Sequence, residues 1–143
     1  MSSVIVNIVK AVKVELDAHV FDPVITTERS YRPFYELEDL KSAVVCIVPW
    51  GMAQARETRE ALSFDAEISI AIMKKLSGST NAEIDTMMDL VDEINAYITS
   101  ATLSTYTNAK WISAINAPVY DENYLNVQNQ FISQLKVTYK VVR

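Results

Sequence analysis

An α+β fold, with a mostly antiparallel sheet of about four to five strands and two main helices packed on one face, follows from three features of this sequence. Two segments repeat apolar residues at helical spacing, Val4 to Leu16 and Ile84 to Ile98. Two others alternate with period two, Phe64 to Met73 and Phe131 to Val142. The order is helix, strands, helix, strands, with no glycine-rich turn, which points to hairpin connections rather than repeated crossovers.

Taking the elements in order, Ser2 and Ser3 are placed to cap a first helix that runs to about Ala18. Its apolar positions are Val4, Ile5, Ile8, Val9, Val12 and Leu16, with Asn7, Lys10, Lys13 and Asp17 on another side. The many valines are mediocre helix formers, so the spacing argues for a helix against the propensity. From Phe21 to Leu40 the chain reads as irregular, broken by Pro23 and Pro33, with a short edge strand over Tyr31 to Leu37. Ala43 to Pro49 is apolar on both faces and reads as a central strand that ends at Pro49-Trp50-Gly51.

In the next strand Phe64, Ala66, Ile68, Ile70 and Ile72 alternate with Asp65, Glu67, Ser69, Ala71 and Met73, which predicts one wet face. The stretch 51–63 between these strands is too long and polar for a tight hairpin turn and predicts a projecting arm. Thr80-Asn81-Ala82-Glu83 offers a capping box for a second helix ending near Ser100, whose stripe is Ile84, Met87, Met88, Val91, Ile94 and Ile98. A strand over Trp111 to Ile115, a loop closed by Pro118 and a long strand over Phe131 to Val142 complete the chain. In that last strand Phe131, Leu135, Val137, Tyr139 and Val141 face one way, while Gln134, Lys136, Thr138 and Lys140 face the other.

At 143 residues, 50% hydrophobic and 22% charged, the chain has the size and composition of one folded domain, 1–143. The net charge of -5 argues against tight nucleic-acid binding, which rests on a basic surface. Cys46, alone in the sequence and set in an apolar run, reads as a buried, inert thiol. Asn7, Lys10 and Lys13 interrupt the apolar N-terminus too early for a signal or membrane-spanning helix, so the expectation is a soluble cytosolic chain with no membrane partner.

Chemistry-bearing patterns are few. His19 follows Glu15 by four residues, a spacing that can hold a metal on one helical face, but no second histidine exists and a local hydrogen bond is the plainer role. Asp85, Asp89, Asp92 and Glu93 occupy the positions that an amphipathic helix leaves to water. No phosphate loop, nucleophile elbow or paired-cysteine motif is present, and a Ser/His/Asp site would have to use His19. No catalytic, cofactor-binding or metal-binding residue is therefore assigned, and the chain reads as a non-enzyme without cofactors. Arg29, Tyr31, Arg32 and Tyr35 form instead the aromatic and arginine mixture that protein interfaces favour.

Three stretches together resemble a known family: Thr27 to Pro33 followed by Glu36-Leu37-Glu38-Asp39-Leu40, then Val45 to Pro49, then Asn116-Ala117-Pro118-Val119-Tyr120 through Phe131 to Arg143. With the order of the elements, the whole chain is similar to the tail terminator, tail completion and neck proteins of tailed bacteriophages. That resemblance implies a virion protein, assembled in the host cytoplasm, that forms a hexameric ring at the head–tail junction. The ring would cap the tail tube, end its polymerisation and join it to the head connector, stopper or adaptor protein, with DNA passing through the lumen without specific binding. In that setting the arm becomes the expected contact to a neighbour or to the tube, anchored by Trp50, Arg56 and Arg59. The alternatives are a head-completion or stopper ring and, in another class, a small cytosolic ligand-binding or enzymatic domain using Glu15, His19 and an acidic neighbour.

Overall fold

The computed structural model describes residues 3–21, 25–29, 43–76, 81–117, 119–120 and 130–142. The apolar period at the N-terminus becomes helix α1 (Val4–Ala18), with Val4, Ile8, Val9, Ala11, Val12 and Leu16 buried along one stripe. Periodicity thus outweighs the weak helix propensity of valine, because burying one face contributes more than propensity removes. Ser3 is the N-cap residue, but its side chain makes no capping bond; its carbonyl accepts the Asn7 N–H at 3.0 Å. The other expected capping residues, Ser2 and Thr80, lie outside the described residues.

Two expectations about the strands are corrected. The segment expected to be irregular contains strand β1 (Ile25–Arg29), which pairs in parallel with Ala43–Ile47. Its β-branched Ile25, Thr26 and Thr27 suit a pleated surface, yet the hydrogen bonds that make it a strand come from a partner later in the chain. The second correction concerns strand β2 (Ala43–Arg56), which does not end at Pro49-Trp50-Gly51. It passes through a bulge between Pro49 and Gly51 and continues to Arg56, paired antiparallel with β3 (Leu62–Lys75) down to Arg56 opposite Leu62. A bulge absorbs the proline and leaves an extra residue, Trp50, unpaired. The stretch 51–63 is accordingly a hairpin with long strands and a turn over 57–61.

Helix α2 (Asn81–Ser100) buries Met87, Leu90, Val91, Ile94 and Ile98. Strand β4 (Lys110–Asn116) and strand β5 (Gln130–Val142) follow. The sheet order is β1-β2-β3-β5-β4, and every pairing except β1 with β2 is antiparallel. The fold is therefore α+β, a mixed and mostly antiparallel sheet of five strands with two main helices.

Both helices pack on the same side of the sheet, against Val45, Ile47, Ala66, Ile68, Ile70, Ile72, Leu135, Val137, Tyr139 and Val141. The opposite side is only partly wet. Near one end of the strands Val44, Cys46, Ala71 and Met73 form a second buried cluster, flanked by Val48 and Ile132, so the wet face expected for the whole of β3 is restricted to its first half. Cys46 is fully buried there. Among the described residues no helix is long and apolar enough to cross a membrane.

Candidate functional site

The wet half of the sheet is built from four strands in register. Its rows are Gly51, Glu67, Thr138 and Ser113, then Ala53, Asp65, Lys140 and Lys110. One column is small and neutral on β2, the next acidic on β3, and the next carries Lys136 and Lys140 on β5. Neither Asp65 nor Glu67 has an ion-pair partner among the described residues, because the lysines beside them are engaged elsewhere. Lys136 places its Nζ 4.0 Å from the centroid of the Trp50 ring, a cation–π contact. Lys140 pairs with Glu57 at 3.2 Å, and this hydrogen bond, aided by one from Ser63, holds the Glu57 carboxyl below its usual range.

The hairpin tip is ordered by its own polar groups. Glu57 and Thr58 donate their backbone N–H groups to the Ala61 carbonyl, and Thr58 Oγ1 accepts from the N–H groups of Glu60 and Ala61. Arg56 Nη1 donates to the Arg59 carbonyl at 3.2 Å, which brings these two expected anchors into one exposed tip. Trp50 is not part of that tip. Arg56 lies six positions further along the strand, about 20 Å at the usual rise, and Trp50 stands at the bulge, 63% exposed. Arg29 ends β1 opposite Ile47 and is exposed. Tyr31, Arg32 and Tyr35 lie outside the described residues, as does the edge strand expected around Pro33.

Among the described residues, β1 is open along its outer side. Open likewise are the outer edge of β4 and β2 beyond Ile47, where its pairing with β1 stops. Each of the latter two carries a bulge that turns an apolar side chain outward, Trp50 on β2 and Ile112 on β4, and Ile115 is 63% exposed. Sequence reasoning missed the β4 edge as a candidate surface. The signal was Ile112 and Ile115 in a short strand bounded by only one charge, Lys110.

The Glu15 and His19 pair expected as a possible metal site is not assembled. Glu15 is bound to Ser104, while His19 lies 3.5 Å from the Glu93 carboxylate, stacks on Tyr97 and meets Phe21 edge-on. This cluster ties the end of α1 to the second half of α2. Asp85, Asp89 and Asp92 are exposed on α2, as expected for a solvated face. No group of three potential metal ligands occurs among the described residues.

No protein-family profile matches this chain, and no curated protein sequence is similar to it. Among solved structures, it is similar in fold to the sheath/tube terminator, in the extended state, of the extracellular contractile injection system PVC. That likeness has a TM-score of 0.52 at 14% identity and covers 100% of this chain, which spans 58% of the length of the terminator.

Proposed function

We propose that this chain is a structural subunit, without catalytic chemistry, that assembles into a ring and caps the end of a protein tube. The observation that carries the proposal is the end-to-end likeness in fold to a sheath/tube terminator. It is supported by the β4 edge and the β2 edge beyond Ile47, both open among the described residues and carrying outward apolar side chains, a form of surface suited to a heterologous contact between identical subunits. In its most specific form, the protein is the tail terminator of a tailed bacteriophage virion. A hexameric ring would then stop polymerisation of the tail tube and join it to the head connector, and DNA would pass through its lumen.

The test is the solution mass of the purified chain across concentration, with and without the tube-forming protein, followed by imaging. Rings of about six subunits, free or only on tube ends, are expected. A monomer or dimer that ignores tube ends overturns the proposal.

A further inference from the structure

We propose that the ring closes by sheet extension, with β4 of one copy pairing antiparallel with the Gly51–Arg56 stretch of β2 in the next. The pairing rests on the ring proposed above and specifies how its subunits join. Direction comes first. In the order β2-β3-β5-β4 each neighbour is antiparallel to the last, so β4 runs opposite to β2. Copies placed side by side with the same face outward therefore bring β4 and β2 together antiparallel, the more stable of the two ladders.

Side-chain columns supply the complementarity. At the β2 edge the wet-face residues are Gly51, Ala53 and Ala55, behind which stand the unpaired carboxylates of Asp65 and Glu67. A Cβ added at Gly51 would meet nothing within 4 Å, and the groove over this floor, walled by Trp50 and the two carboxylates, has a volume of about 380 Å³. At the β4 edge the wet-face residues are Lys110, Ser113 and Ile115. Lys110 has no ion-pair partner among the described residues.

If the rows of one copy continue into the next, Lys110 falls beside Ala53 and Ile115 beside the Trp50 bulge. Asp65 is then two strands from Lys110, about 10 Å between backbones, a span that the two side chains close from opposite ends over a column too small to block them. The contact joins a lysine and carboxylates that have no ion-pair partner among the described residues, and it covers Ile115 and Trp50, each 63% exposed. The occupant is thus a second copy of this chain, and the contact is head to tail, as a ring requires.

Disulfide trapping in the full chain tests the pairing, since it captures even a brief contact. Oxidation of the double variant Ala53→Cys, Lys110→Cys should give a ladder of covalent multimers, and neither single variant should do so. Independently of any cysteine, Lys110→Glu should weaken self-association about tenfold, and Asp65→Lys in the same chain should restore most of it. Rings that form without the cross-link and ignore Lys110→Glu would overturn the pairing and leave the ring intact. A chain that neither cross-links nor assembles would overturn both.

Discussion

Glu15, on α1, accepts two hydrogen bonds from Ser104, one from the backbone N–H at 2.8 Å and one from the hydroxyl at 2.7 Å. The carboxylate thereby fastens the first helix to the turn that leads into β4. Hydrogen bonds to a charged acceptor are stronger than neutral ones, less so where solvent reaches them. Glu15→Ala should destabilise the fold by about 1–2 kcal/mol, and Glu15→Gln, which keeps an acceptor oxygen, by less. Urea unfolding of the three proteins measures both.

Tyr139, fully buried opposite Trp111, presents a hydroxyl with no hydrogen-bond partner among the described residues. Burial raises its ionisation well above the usual range, and the nearby Glu15 charge adds to this, so the phenol stays neutral. Because a desolvated hydroxyl without a partner costs free energy, Tyr139→Phe should leave stability unchanged or raise it by up to about 1 kcal/mol. Tyr139→Ala should cost about 3–5 kcal/mol through the cavity it opens. A large loss in Tyr139→Phe, seen by thermal or chemical unfolding, would show that the hydroxyl is bonded after all.

Acid stability carries the signature of Asp17. Burial raises its pKa, but hydrogen bonds from Lys13 at 2.8 Å and from Thr27, with the Lys13 charge, together outweigh that effect and hold it below the ordinary 3.8. A carboxyl depressed by folding contributes stability that is present above its unfolded pKa and is lost as pH falls through its folded value. The contribution should therefore begin to fall near about pH 4 and be gone once the pH is below the folded value, and Asp17→Asn should flatten that part of the curve. Thermal unfolding from pH 6 to pH 2 reads the difference between the two proteins.

Arg56 and Arg59 meet at an exposed tip and bury nothing. Replacing both with alanine should change folding stability by no more than about 0.5 kcal/mol. If the tip contacts a neighbour or a tube, the same variant should assemble poorly at its unchanged melting temperature. Normal rings from Arg56→Ala with Arg59→Ala would remove the tip from the contact surface and leave the strand edges to carry it.

How far the fold was legible depends on where each element finds its reasons. The apolar stripes of α1 and α2 and the alternation in β3 and β5 are local, because each buries a face whose spacing is written within the element itself. Those four could be read directly, and they suffice for the α+β class. The burial of Cys46 was legible from Val44, Val45, Ile47 and Val48 beside it in the chain, although Ala71, Met73 and Ile132, which complete its surroundings, come from other strands.

What the chain does not state locally, tertiary pairing decided. Met52-Ala53-Gln54-Ala55 has little strand propensity and becomes part of β2 because Ala66 to Ser63 offers a ladder. Ile25–Arg29 becomes a strand only beside Ala43–Ile47. The candidate surface is the same case. Ala53 beside Asp65 and Lys110 beside Lys140 are neighbours by register alone, and Trp50 meets Lys136 across β3. Likewise Glu15 left its helical neighbour His19 for Ser104, and His19 took Glu93. Periodicity fixes which face of an element is buried; which strands become edges, and which charges stand beside them unpaired, depends on hydrogen bonds between segments far apart in the chain.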